Sequence, residues 1–350
     1  MRALTVLPGR AGSAAVTEVA EPATADGALL VRALGVGVCG TDLEIARGDY
    51  GTAPKGHERL VIGHESLGRV EDAPAGSGFA AGDLVVGIVR RPDPVPCANC
   101  AAGEWDMCRN GRYTERGIKE RDGYCAERYR LEPDFAVRVE PALGANAVLL
   151  EPASVVAKAW DHVERIGSRA RWAPRRALIT GAGPIGLLAA LFAQQRGLET
   201  HVVDVVTSGP KPALVQSLGA TYHADGVRGL GFAPDIVLEC TGVGGVLVDV
   251  LTLTAPDGIV CLTGVSSGGH RLALDLGLVN RDLVLRNTVV FGSVNANRAH
   301  YAAAAAALAK ADQAWLSRLI TRREPLDRFA AALERRPGDI KVVIDFGLPA

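Results

Sequence analysis

Gly181-Ala182-Gly183-Pro184-Ile185-Gly186 directly follows the apolar run Ala177–Thr180 and opens a segment of helical spacing, Pro184–Gln195. A strand, a glycine-rich turn and a helix in that order define a phosphate cradle. Gly181 permits the tight turn, Gly183 lets the backbone approach a pyrophosphate, and Gly186 lets helix and strand pack closely. Pro184 and Ile185 begin the helix and join the candidate contacts; a proline costs little there because its missing N–H has no intrahelical partner. The phosphates lie at the helix N-terminus, where unpaired N–H groups and the dipole favour anions. Asp204 ends the next strand, 18 residues beyond Gly186. A carboxylate there accepts hydrogen bonds from an adenosine ribose and repels a 2′-phosphate, so the coenzyme expected is NAD, with NADP possible.

Outward from this turn the alternation continues. The spacing predicts strands at Thr200–Val205, Ile236–Glu239 and Ile259–Leu262, with helices at Ala153–Ile166, Ala213–Leu218 and near Val246–Leu253. Strand–helix alternation implies right-handed crossovers and a parallel sheet covered on both faces. Before residue 150 the texture differs: short β-rich runs (Leu29–Ala33, Arg59–Ile62, Gly68–Glu71, Leu84–Val89) are separated by Gly, Pro and Asp, with no long helical period. The closing segment reads as an Ala-rich helix from about Ala299 to Lys310, a helix near Leu326–Arg335 and a strand Lys341–Phe346, and it is expected to return to the first domain. The Arg/Lys-bearing stretch Arg318–Arg336 reads as a solvated helix face. The expected domains are 1–152 with 296–350, and 153–295.

A chain of 350 residues is long enough for two cores. Its formal net charge of −1 creates no field to gather nucleic acid or an anionic membrane. No apolar run approaches the length of a membrane span, and Met1–Leu7 reads as a strand rather than a secretory leader, so a cytoplasmic location is expected. A reducing compartment disfavours disulfides, yet three of the seven cysteines, Cys97, Cys100 and Cys108, lie within twelve residues. Such clustering points to a metal.

A second metal set is dispersed: Cys39 in Gly37-Val38-Cys39-Gly40-Thr41-Asp42, His64 in Gly63-His64-Glu65, and Glu151 in Leu150-Glu151-Pro152. Thiolate, imidazole and carboxylate make a three-ligand zinc site with one position open. An open position lets the metal bind an alcohol oxygen, lower its pKa and prepare it for hydride loss. Glu65 adjoins the histidine and either orients it or enters the ligand set itself.

In that order, Cys39–Asp42, Gly63–Glu65, the cysteine lobe and Gly181–Gly186 resemble the zinc-dependent medium-chain alcohol dehydrogenase superfamily over essentially the whole chain. Pro54-Lys55-Gly56-His57, Asn110–Ile118, Gly292-Ser293-Val294-Asn295 and Pro337–Lys341 are similar to its glucose (aldose) 1-dehydrogenase branch. The resemblance implies a GroES-like β-rich catalytic domain split around a Rossmann doubly wound parallel-sheet domain, with the active site in the cleft between them. It implies a catalytic zinc on Cys39, His64 and Glu151 with Glu65 close by, and proton relay through Thr41. Glu115, Asn295, Thr41 and Glu151 become sugar contacts, and Thr241 and Asn295 cofactor contacts. The implied reaction oxidises an aldose at C1 to the lactone, and the chain is expected to form a homo-oligomer, dimer or tetramer.

Three departures from that branch stand out. Its lobe carries four cysteines, C-x2-C-x2-C-x7-C, and here Pro94 fills the first place; Asp93 is the expected oxygen donor beside Cys97, Cys100 and Cys108. Val89 and Val155 replace a sugar-binding Asn and Asp. Asp204-Val205-Val206 replaces the segment that receives an NADP phosphate; Arg228 and Arg271 are the arginines available to offset Asp204. Other readings of the same residues are a zinc-dependent polyol, cyclitol or secondary-alcohol dehydrogenase, a zinc-free quinone or enone reductase, and a catalytically silent dinucleotide-binding protein. The last would have lost a metal ligand, whereas Cys39, His64 and Glu151 all stand. Cys125, Cys240 and Cys261 read as small buried hydrophobes. His57 reads as a surface residue, and no partner pattern is evident for His162, His201, His223, His270 or His300.

Overall fold

The computed structural model describes residues 1–266 and 271–347; His270 lies outside the described residues. The chain divides into two compact units, Met1–Ser154 with Asn295–Ala350, and Val155–Val294.

The first unit is built on the strand Leu29–Val38. Glu65–Asp72, Arg128–Leu131 and Lys341–Asp345 all pair with it antiparallel, and Leu84–Gly87, Ala136–Arg138 and Ile320–Pro325 extend the sheet. The return of the C-terminus expected from the sequence is therefore a strand in the central sheet, with Val342 opposite Val38 and Ile344 opposite Val36. Val31, Val36, Ile45, Ile62, Val70 and Ile344 form part of one apolar core. Burying each such side chain contributes about 1.5–3 kcal/mol.

Two local readings are corrected here. The unit does contain a helix near its start, Gly40–Arg47, too short for a helical period to show in the sequence. Arg318–Arg336 is not a helix face: Ile320–Pro325 is a strand and only Phe329–Ala332 is α-helical. Exposure alternates from Thr321 to Pro325, a period of two hidden by the arginines, because Arg322 is drawn inward to ion-pair with Asp339 and Glu324.

The second unit is a six-stranded parallel sheet in the order Thr221–His223, Glu199–Val203, Arg176–Thr180, Ile236–Glu239, Ile259–Leu262, Val289–Gly292. Chain order reverses beside Arg176–Thr180, so the crevice at the carboxyl ends of that strand and of Ile236–Glu239 is where such sheets bind ligands. The expected helix Pro184–Gln195 is present with the same bounds. The helix Leu276–Arg286 and the edge strand Val289–Gly292 have no counterpart in the sequence reading; in the helix only Val279 is buried, and the strand's apolar residues are half-exposed.

Candidate active site

Cys39 stands immediately before the helix Gly40–Arg47, in extended conformation. Its N–H donates to Asp42 Oδ2 at 2.8 Å, which closes the first turn and sets the thiol at a helix N-terminus. The other oxygen of Asp42 faces His64 Nδ1 at 3.4 Å, deep in the unit. Burial by itself would push the His64 pKa down; the Asp42 carboxylate outweighs it and holds the ring well above its usual value. That contact takes the Nδ1 side and leaves Nε2 for a metal. Asp42 was not singled out in the sequence, although a carboxylate three residues after a pre-helical residue carries the spacing of a capping box.

Two glycines shape the approach to His64. Gly63 has φ +89, and a Cβ there would meet Val36 Cγ1 at 2.7 Å. Gly117 has φ +72, and a Cβ there would lie 2.6 Å from the carbonyl oxygen of Gly63. The chain just after the strand Thr114–Arg116 can thus pass close against the backbone at Gly63, next to His64.

Ligand atoms of Cys39, His64 and Glu65 lie within 4.8 Å of one another. Glu65 is opposite Gly37 in the sheet, and only glycine fits there: a Cβ would sit 2.0 Å from Glu65 Oε2. Both oxygens of Glu65 accept from Lys341 Nζ, at 2.6 and 2.5 Å, and the ammonium also reaches Val38 O at 3.2 Å. Lys341 is 1% exposed, so this ion pair is fully desolvated and removal of one partner would strand a buried charge. No local signal marks Lys341, which reaches Glu65 from 276 residues away. Glu151 is buried, and burial pushes its pKa up to about 7 against the pull of His64; it borders the cluster without belonging to the close group of three. The Thr41 hydroxyl lies 4.0 Å from Cys39 Sγ. The residues present fit a zinc ion: soft and borderline donors, one carboxylate, and an oriented imidazole.

Glu115 and Asn295, far apart in sequence, meet: Asn295 Nδ2 donates to Glu115 Oε1 at 2.7 Å. Asn295 is held at φ +64. The half-exposed ring of Tyr50 stands close enough to feel the Glu115 charge, which, after burial, raises its pKa.

In the lobe, the thiols of Cys97, Cys100 and Cys108 lie within 4.8 Å of one another. The N–H groups of Arg109 and Cys100 pull Cys97 down to about 6, and burial pushes Cys100 up. Asp93, expected as the fourth ligand, lies outside that close group of three. Its Oδ1 accepts from Val95 N at 2.8 Å and its Oδ2 pairs with Arg112 Nε at 3.2 Å.

In the second unit the glycine turn has the shape its sequence implies. Gly181 has φ +84, a Cβ on Gly186 would collide with Gly181 O at 1.7 Å, and a Cβ on Gly183 would meet nothing within 4 Å. The turn thus presents an open cradle at the N-terminus of Pro184–Gln195, with Ile185 in its first turn, and fits a pyrophosphate. Asp204 Oδ2 accepts from Ala182 N at 2.7 Å and from Lys211 Nζ at 3.2 Å, and Oδ1 from Val206 N at 3.1 Å. Arg228, one of the two arginines available to offset Asp204, pairs with Asp249 instead, and the cation on Asp204 is Lys211. Thr241 caps the neighbouring strand end, its N–H and hydroxyl both held by the buried Glu239. His201 and His223, read as unpartnered, are in fact 3.0 Å apart, ring nitrogen to ring nitrogen, on adjacent strands. Cys125 and Cys261 are buried small residues and His57 is exposed, as read.

A split β-rich unit with a Cys–His–carboxylate cluster, in one chain with a dinucleotide-type parallel sheet, defines a zinc-dependent medium-chain dehydrogenase. The Alcohol dehydrogenase GroES-like domain matches residues 25–141, and the Glucose dehydrogenase C-terminus matches residues 144–346. The glucose 1-dehydrogenase of Methanocella arvoryzae is 39% identical over 358 residues, covering 99% of this chain and 100% of that one. Glucose 1-dehydrogenase 1 of Caldivirga maquilingensis is 40% identical over 353 residues, 99% of each chain. The Haloferax mediterranei glucose dehydrogenase solved with NADP, Zn and gluconolactone superposes with a TM-score of 0.90 at 31% identity, covering 99% of both chains. The chain belongs to the glucose dehydrogenase family of zinc-dependent medium-chain alcohol dehydrogenases.

Proposed function

We propose that this protein oxidises the C1 hydroxyl of an aldose to the lactone, passing hydride to a nicotinamide dinucleotide. The observation that carries the reading is the Cys39–His64–Glu65 donor set, buried and oriented, in a chain that matches glucose 1-dehydrogenases from end to end. Zinc, when bound there, supplies the Lewis acidity that lowers the pKa of the sugar hydroxyl. Cys39 and His64 hold it, with Glu151 or Glu65 as the carboxylate. Asp42 fixes the imidazole, and Lys341 holds both oxygens of Glu65 in place. The Thr41 hydroxyl, beside Cys39, takes the proton from the substrate and passes it outward. Glu115 and Asn295 hold the sugar through its other hydroxyls. Gly181, Gly183, Pro184, Ile185 and Gly186 cradle the pyrophosphate, Asp204 takes the ribose, and Thr241 and Asn295 complete the cofactor contacts. The three lobe thiolates hold a second, structural zinc.

The seven free thiols support the cytoplasm as the place of work. No helix among the described residues is long and apolar enough to cross a membrane. A second copy of the chain is the partner we assign to the exposed apolar face around Leu276–Arg286.

The test is a panel of aldoses, polyols, ethanol and benzyl alcohol assayed with NAD and NADP separately, together with zinc content. Oxidation of several aldoses, glucose or galactose among them, and little of ethanol, is expected. His64→Ala should abolish turnover while dinucleotide binding, read by fluorescence, persists. A preference for ethanol or benzyl alcohol, or a zinc-free enzyme at full rate, overturns the reading.

A further inference from the structure

Arg90 and Arg91 are consecutive, each 5% exposed, and each paired with a carboxylate, but the two pairs are built differently. Arg91 meets Glu132 fork to fork: Nε reaches Oε1 at 3.1 Å and Oε2 at 3.2 Å, and Nη2 reaches Oε2 at 2.7 Å. Arg121 adds a donor on Oε1, so both oxygens of Glu132 are consumed. That is how a structural clasp is made. Arg90 instead puts Nε (3.1 Å) and Nη2 (3.0 Å) on one oxygen, Oε1 of Glu115, and Asn295 Nδ2 adds a third donor to the same atom at 2.7 Å. No described residue donates to Oε2. Arg90 is not free to turn and serve it, because Nη1 is fixed on Asp106 O at 3.0 Å and the guanidinium carbon lies 3.7 Å from the centre of the Tyr113 ring.

We propose that Arg90 is a positioning residue for sugar recognition: it saturates Glu115 Oε1 and leaves Oε2 as a single acceptor that demands a donating hydroxyl at one position of the sugar. The inference rests on the reading of Glu115 as a sugar contact. An ionised carboxylate only accepts. A sugar lacking that hydroxyl leaves Oε2 unpaired, and its methyl ether brings an oxygen with no proton to give, so both are refused. Lysine cannot replace the arginine, because one ammonium cannot set two coplanar N–H groups on one oxygen and also reach Asp106 O.

The experiment measures KM and kcat for glucose and for its monodeoxy and mono-O-methyl analogues at each hydroxyl other than C1. The enzymes compared are the wild type, Arg90→Lys, Arg90→Gln and Glu115→Gln. In the wild type one position should refuse both analogues, with KM raised about tenfold or more and kcat little changed. In Arg90→Lys, KM for glucose should rise by about the same factor with kcat within about threefold, and the penalty at that one position should vanish while the others persist. A merely structural arginine would lower kcat or the active fraction and leave the position preference intact, which overturns the proposal. If Glu115→Gln changes neither KM nor the preference, the sugar role of Glu115 falls and this inference with it. If Glu115→Gln loses the preference and a folded Arg90→Lys keeps it, only the role of Arg90 falls. Should neither Arg90 variant fold, a wild-type panel with no position refusing both analogues overturns the proposal, and one such position, lost in Glu115→Gln, upholds the single free acceptor on Glu115 that Arg90 and Asn295 leave.

Discussion

At the scale of single residues, we expect coenzyme choice to turn on Asp204. Burial alone would raise its pKa; the N–H groups of Ala182 and Val206, with Lys211, hold it below the usual carboxylate value, so it is a charge at neutral pH. A 2′-phosphate beside it meets like-charge repulsion and loses the ribose hydrogen bonds, a penalty of about 1–3 kcal/mol. We expect NAD to exceed NADP in kcat/KM by about tenfold to a hundredfold, and Lys211→Ala to widen that gap, because it removes the cation that offsets Asp204. Competing kinetics with the two coenzymes check this; better efficiency with NADP would defeat it. The place of Asp204 beside the glycine turn was legible because its spacing from that turn is set by one crossover of the chain. Lys211 was not, since nothing local separates it from any other surface lysine.

At the scale of elements, Glu132 ties together the segments that carry Arg91 and Arg121 by binding both guanidinium groups. Partial burial pushes Glu132 up, but the two guanidinium groups outweigh it and hold it at about 2, against a usual value of 4.5. A depressed carboxylate stabilises the fold above its unfolded pKa, and that stability is lost as pH falls from about 4.5 through about 2. Glu132→Gln should therefore lower Tm near neutral pH and flatten its decline across that acid window. An unchanged acid limb in thermal melts would refute this. The lobe gives a second expectation. With Asp93 tied to Arg112 and Val95, we expect any zinc in the lobe to depend on the three thiolates. Cys100→Ser should cost about one zinc per chain and raise hydrogen exchange in the lobe, whereas Asp93→Asn should keep the metal. Elemental analysis showing zinc lost in Asp93→Asn would restore the aspartate as a ligand.

For the whole molecule, the second unit leaves Leu276, Leu278, Val284 and Leu285 each more than half exposed. They lie on Leu276–Arg286, the helix that precedes Val289–Gly292, the outer strand of the six-stranded sheet. Exposed apolar side chains of this number on one helix are a liability that association removes. A second copy of the same face is self-complementary under twofold symmetry. Leu285→Glu should shift the protein to monomer in light scattering after size exclusion, with the sugar oxidation of the surviving monomer measurable. A wild type that is already monomeric at assay concentration would end this assignment.

What the sequence determined by itself is local and periodic. The glycine turn, the alternation from Ala177 to Leu262 and the cysteine spacing each act over a few residues, so chain geometry alone carries them. Only the tertiary structure could decide the rest. Lys341 seals Glu65 because the C-terminal strand enters the central sheet beside Leu29–Val38. Glu115 meets Asn295 across 180 residues, and Asp93 is lost to Arg112. Such partnerships depend on which buried charges find each other once water is excluded, and no period or spacing in the chain encodes that.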